Sequence, residues 1–190
     1  ALTAGRYHFD FTMAFDREVP LLPVFVWFYI LAFPFWAVGY LLAARRGKDM
    51  FYRFVATDLT IHFICFICFI LIPTTNIRPE IPGNTLSEKI LALVYSLDGG
   101  NSPSNLFPSI HCYVSWMCWK GVEGSEKVPK WYQRFSLVFA ILIIISTQVL
   151  KQHYIVDAAA ALLLVEFFWR FYQKGQRHKW VVHVFAHKKK

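Results

Sequence analysis

From Pro20 onward the chain returns repeatedly to apolar stretches close to the length that crosses a bilayer, separated by short polar segments. A run of about 20 apolar residues spans the hydrocarbon core, because each helical residue advances about 1.5 Å. Stretches such as PLLPVFVWFYILAFPFWAVGYLLAA and FSLVFAILIIIST leave few other folds open. With 56% hydrophobic and 18% aromatic residues, the 190-residue chain lies well outside the range of soluble domains. The expected fold class is all-α, a polytopic membrane helix bundle of about five transmembrane helices.

The formal charge of +8 invites a nucleic-acid reading until the cations are placed. Arg45, Arg46, Lys48 and Arg53 lie between the first two spans, and Lys120, Lys127, Lys130 and Arg134 between the third and fourth. Seven more lie from Arg170 to Lys190, so fifteen of the twenty fall on one side. This is the positive-inside pattern of a membrane protein, and it puts those fifteen in the cytoplasm. The lipid bilayer, and not nucleic acid, is the expected partner; oligomeric state is left open.

On this reading residues 1–19 form an extracytoplasmic segment, 20–173 a single transmembrane catalytic domain, and 174–190 a basic cytoplasmic tail suited to an anionic leaflet. The spans are expected at about Pro20–Ala44 (kinked at Pro34), Phe51–Ile72, Pro108–Lys120, Phe135–Leu150 and Tyr154–Tyr172. Pro108 is expected in the first turn of its helix. A loop of about 35 residues follows the second span, a length usually reserved for function. Within it Thr85 and Glu88 form a capping box, and Leu86, Ile90, Leu93, Val94 and Leu97 recur at helical spacing, predicting a short amphipathic interfacial helix. Cys65 and Cys68 read as CxxC but lie mid-span, where core packing is the simpler role; Cys112 and Cys118 are likewise expected to be unbridged.

Three polar clusters reach the same outer surface in this topology. Arg78 comes from the long loop, Ser109 and His111 open the third span, and Lys151, His153 and Asp157 form the corner between the last two. Each residue also has an ordinary role, such as a solvated charge, a packed histidine or a helix brace. Together they suit phosphoryl transfer. Amides at a helix N-terminus make an anion site, Arg78 a planar fork and Lys151 a point charge. His153 can attack phosphorus if Asp157 holds its other ring nitrogen, and His111 can protonate the leaving oxygen and then activate water. No acidic cluster suited to Mg²⁺ accompanies the set, so neither metal nor cofactor is expected. Asp58, His62 and Glu166 are expected to be structural, with His62 and Glu166 at comparable depth and able to pair.

FPSIH resembles the P-S-x-H motif of the type 2 phosphatidic acid phosphatase superfamily. STQVLKQHYIVD is similar to its S-R-x-x-x-x-x-H-x-x-x-D motif, with Ser146, His153 and Asp157 in place. Arg78-Pro79 resembles the end of its K-x-x-x-x-x-x-R-P motif. The resemblance covers about residues 70–160 and implies a helical bundle, a phosphohistidine on His153 and acid–base work by His111. It puts Arg78, Lys151, Ser109, Ser146 and Thr147 at the substrate phosphate. Leu71 and Thr147 stand where the family has a lysine and an arginine, and Lys151 is the candidate replacement. The KQHY variant is similar to the branch that includes inositol phosphorylceramide synthase-like proteins.

The expected activity is a metal-independent lipid phosphatase in a bacterial cytoplasmic membrane, its active site on the outer face. Phosphatidic acid, phosphatidylglycerol phosphate and polyprenyl diphosphate are the candidate substrates. The alternatives are a phosphotransferase to a lipid alcohol and a non-enzymatic protein, either haem-binding through His62, His111 or His153, or an interaction protein.

Overall fold

A computed structural model describes residues 7–100 and 103–186. The lysines at 188–190, counted above in the basic tail, lie outside the described residues. The chain is mostly helical. In order come β1 (Phe9–Asp10), α1 (Ala14–Glu18), a 3₁₀ turn (Pro23–Phe25), α2 (Val26–Ile30), α3 (Ala32–Ala44), α4 (Lys48–Leu71) and β2 (Thr74–Thr75). Then follow α5 (Leu86–Leu97), α6 (Ile110–Val122), α7 (Lys130–Val149), α8 (Ile155–Gln173) and α9 (Lys179–Ala186). Among the described residues the strand structure is small: β1 and β2 pair in parallel, Phe9 with Thr74, and Thr75 bridges Ser104.

Among the described residues, three helical segments are long and apolar enough to cross a membrane: Pro23–Ala44, Lys48–Leu71 and Lys130–Val149. The first is interrupted at Leu31, between α2 and α3. Pro34 accounts for the break, because it has no N–H to offer the carbonyl of residue 30 and its ring crowds that carbonyl. The second ends at Leu71, with Ile72 as its C-cap ahead of Pro73. The third begins five residues before the expected Phe135, at Lys130 behind Pro129.

The short helix α6 is the centre of the bundle, with α3, α7, α8 and α4 packed around it. Cys112, Tyr113, Met117, Cys118 and Val122 of α6 are wholly buried. Small residues allow this crowding, as they do where lipid surrounds the helices and close contact is the main attraction. A Cβ added at Gly39 of α3 would lie 2.6 Å from Cys118 Sγ and 2.7 Å from its Cβ. At Gly121 it would lie 2.9 Å from the Phe54 ring. Cys65, Cys68, Cys112 and Cys118 are all free thiols.

The capping box of α5 forms: Thr85 Oγ1 accepts from Glu88 N at 3.2 Å, and Glu88 Oε2 accepts from Thr85 N at 3.1 Å. The apolar stripe of α5 divides, with Ile90 and Val94 packed against the bundle. Leu91 and Tyr95 are its buried residues and pack with Val26, Tyr29 and Leu150, whereas Leu86, Leu93 and Leu97 remain exposed. At the opposite end, Arg53 Nη1 donates to the Tyr172 and Gln173 carbonyls at 2.8 and 2.7 Å, holding the last turn of α8. His178 lies 2.9 Å from Asp49 and brings α9 against α4.

Filling the α3–α6 contact is the direct test of this packing. Gly39→Ala is expected to lower stability by about 1–3 kcal/mol, the usual cost of overpacking, read as a lower Tm in detergent.

Candidate active site

The site is built on the turn between α7 and α8. Helix α7 ends in a Schellman motif: Gln152 N donates to the Thr147 carbonyl at 2.9 Å, and Lys151 N donates to the Gln148 carbonyl at 3.0 Å. His153 N reaches the same Thr147 carbonyl at 3.0 Å, so His153 is fixed to the end of α7 by its own backbone. The remaining carbonyls are taken by side chains and backbone from elsewhere. Val149 O accepts from Leu22 N at 2.9 Å, Leu150 O from the Tyr95 hydroxyl at 2.7 Å, and Lys151 O from Asn76 Nδ2 at 3.0 Å.

Helix α8 then starts at Ile155, which places Asp157 in its first turn. Asp157 Oδ2 accepts from Tyr154 N at 3.0 Å and lies 3.4 Å from His153 Nδ1. His153 and Asp157 are buried, 8% and 2% exposed, and Nδ1 has no hydrogen-bond partner among the described residues. A buried carboxylate one short movement from a buried imidazole nitrogen is the arrangement that selects one tautomer and steadies the imidazolium.

The second histidine comes from α6. Its N-cap is Ser109, whose Oγ accepts from Cys112 N at 3.3 Å, so Pro108 precedes the cap and does not occupy the first turn. Ser109 N donates to the Asp157 carbonyl at 3.3 Å, which joins the start of α6 to the start of α8. His111 stacks on Tyr29 at 4.3 Å between centroids and lies between Trp36 and His153, at 5.1 and 6.1 Å. Its Nε2 is buried without a partner among the described residues. Two histidines, an acid and a helix N-terminus thus converge from separate segments.

A family model for the PAP2 superfamily matches residues 5–170. The chain belongs to the PAP2 superfamily. Members of this superfamily are phosphatases and phosphotransferases of lipid-like phosphates, and the three apolar helices make this chain an integral membrane protein. No curated protein and no solved structure matches it.

The cations nearest this site are committed to the protein's own groups. Arg78 is buried; it donates to the Asp98 and Gly100 carbonyls at 3.0 and 3.2 Å and to Asp98 Oδ2 at 2.6 Å, and also bonds Gln152. Its Nε alone lacks a partner among the described residues. Its guanidinium also sits over Tyr95, whose phenol burial pushes up to about 12, so that the hydroxyl stays a donor. Lys151 Nζ donates to the Asp16 carbonyl at 2.6 Å and to that of Val19 at the end of α1. Burial lowers the pKa of this ammonium, against an opposing pull from Asp16. Ser146 Oγ and Thr147 Oγ1 turn back to the Ile143 and Ile144 carbonyls at 2.6 and 2.8 Å, and both residues are buried.

The site thus unites His111, Ser109, His153 and Asp157, with Arg78 and Lys151 beneath and beside them as braces of the corner. Asp16 is the residue the sequence did not announce: Oδ1 accepts from Ile155 N at 2.9 Å and Oδ2 from Met13 N at 2.8 Å. Tyr29 and Gln152 are two more. His62 and Glu166 do not pair. His62 meets the Tyr113 hydroxyl at 2.8 Å and Asp58 at 3.6 Å, while Glu166 accepts from Trp116 Nε1 at 2.9 Å and lies 3.1 Å from Lys120. No group of three or more metal-ligating side chains converges among the described residues.

Lys151 occupies the left-handed region, at φ 53°. That conformation costs a side-chain-bearing residue about 1–2 kcal/mol and a β-branched one more, but glycine very little. Lys151→Val is therefore expected to lower Tm clearly, and Lys151→Gly to hold it near the wild-type value despite losing the ammonium. Differential scanning fluorimetry in detergent measures both.

Proposed function

We propose that this chain is a lipid-phosphate phosphatase that forms a phosphohistidine on His153, with its active site on the outer face of the membrane. The observation that carries the reading is the approach of His111 to His153, 6.1 Å between ring centroids, with Asp157 behind His153. In this reading α6 and α8 also cross, giving five crossings. Helix α6 has 13 residues, about 20 Å of helix against a hydrocarbon core of about 30 Å. Its N-terminus, with Ser109 and His111, therefore sits recessed where a lipid phosphate can descend to meet it.

An apolar cavity of about 400 Å³ beside this entrance suits the lipid tail; it is lined by Phe107, Pro108, Ile64, Ala160 and Leu164 among others. The phosphate sits over the amides of Ile110 and His111, at the positive end of the α6 dipole. Arg78 through Nε, and Lys151 through its remaining N–H, supply the nearest positive charge. Phosphatidic acid, phosphatidylglycerol phosphate and polyprenyl diphosphate all present the required terminal phosphoryl group.

His153 Nε2 attacks phosphorus while Nδ1–H donates to Asp157. The bond to the lipid oxygen breaks as His111, protonated at that stage, gives its proton to the leaving oxygen. His111 then takes a proton from water, whose oxygen attacks the phosphohistidine and releases inorganic phosphate. Asp157 keeps its charge throughout and steadies the cationic ring.

The purified protein is expected to release phosphate from at least one of these lipids in the presence of EDTA. His153→Ala should abolish release. Asp157→Asn should slow it on the order of a hundredfold or more, while keeping Tm, since the amide oxygen still caps Tyr154 N. If lipid is consumed without free phosphate and a new phospholipid accumulates, the activity is instead transfer to a lipid alcohol.

A further inference from the structure

A second cavity meets the apolar one at Leu163 and Phe167 and runs from there to the C-terminal end of α8. It measures about 380 Å³ and is lined by Leu163, Glu166, Phe167, Arg170, Phe171, Lys174 and Arg177. Residues 163, 167, 170, 171 and 174 recur at three- and four-residue spacing and so form one stripe along α8. Gly175, at φ 64°, ends the helix and reverses the chain. Arg177 thereby folds back over α8: its guanidinium lies 4.3 Å from the Phe171 ring centre, and Nη1 is 3.5 Å from the Phe171 carbonyl. Three cations thus surround one recess that would otherwise be plain helix surface.

The acidic member of the lining does not cancel them. Glu166 is engaged from inside by Lys120 at 3.1 Å and Trp116 at 2.9 Å, and Arg170 approaches it at 3.4 Å. Lys174 and Arg177 face no other carboxylate of the lining, and the Arg170 side chain is 77% exposed. Toward the middle of α8 the stripe becomes apolar, with Leu163 and Phe167 exposed. A cationic end joined to an apolar strip matches a headgroup joined to an acyl chain. A free phosphate would use only the first, and a soluble acidic peptide would leave the second uncovered.

We propose that this recess binds one anionic phospholipid of the cytoplasmic leaflet, its headgroup phosphate among Arg170, Lys174 and Arg177 and its acyl chain along Phe167 and Leu163. The inference rests on α8 crossing the membrane with its C-terminal end inside, the orientation that the distribution of basic residues favours. It does not involve His153: Arg170, the first of the three cations, lies 17 positions further along the chain, about 25 Å at helical rise.

The test is native mass spectrometry of the protein released from nonionic micelles containing phosphatidylglycerol or phosphatidylcholine. One phosphatidylglycerol is expected to stay bound in preference to phosphatidylcholine. The variant R170Q/K174Q/R177Q should weaken it by about tenfold or more, given roughly one unit of favourable interaction per basic residue near an anionic surface. K48Q/K179Q, which removes two charges from the same end of the molecule outside this recess, should leave it nearly unchanged. Circular dichroism checks folding, and K174Q/R177Q, which keeps the Glu166–Arg170 pair, serves if the triple variant is unstable. Equal retention of phosphatidylcholine would overturn the proposal. So would equal losses in both charge variants, or displacement of the lipid by free glycerol phosphate. Phosphate release by the wild-type protein is scored separately, so a failure here leaves the phosphatase reading standing.

Discussion

The Thr147 carbonyl is the point from which the rest of the site is suspended. It accepts the amides of both Gln152 and His153, and in doing so turns the end of α7 into the start of α8 within five residues. A helix end leaves carbonyls that must be satisfied when they are buried. Here Leu22, Tyr95 and Asn76 answer them, from three segments far away in sequence. The corner is thus clamped by the segment before the 3₁₀ turn, by α5 and by the loop after α4, and the nucleophile candidate inherits that rigidity. Arg78 and Lys151 belong to the same clamp, since most of their donors go to Asp98, Gln152 and the end of α1.

Much of this was legible in the sequence because it is local. Thr85 with Glu88 starts α5, and four positions are close enough in sequence to keep His153 near Asp157, although His153 precedes α8 and Ser109, not Pro108, opens α6 as its cap. Proline marked the break in the first span and the end of the second. What was hidden depends on contacts between distant segments. Lys151 reaches Asp16 across 135 positions and Arg78 reaches Gln152 across 74, and no periodicity records either. Which part of α5 meets protein depends on distant segments too. Val26, Tyr29 and Leu150 cover Leu91 and Tyr95 and leave Leu86, Leu93 and Leu97 exposed. Likewise His62 meets Tyr113, while Glu166 is held by Lys120 and Trp116.

The committed cations bear on how such a site would hold a phosphate. Lysine and arginine are missing at Leu71 and Thr147, and Thr147 is buried with its hydroxyl turned into the helix. Most of the attraction then falls to backbone amides at the start of α6 and to charges held just behind the surface. Fixed dipoles and immobile cations need not reorganise as charge develops, which is an advantage in a water-poor recess. The aromatic cage of Tyr29, Phe33 and Trp36 keeps His111 in place without offering it a competing hydrogen bond.

The central claim is that His153 carries the phosphoryl group, and trapping the intermediate examines it most directly. Radiolabelled lipid phosphate would be mixed with the purified protein, quenched in base within a fraction of a turnover, and the labelled peptide sequenced. The account predicts an acid-labile, base-stable label on the peptide containing His153. Label on His111, or turnover with no protein-bound phosphate at any time point, would contradict it.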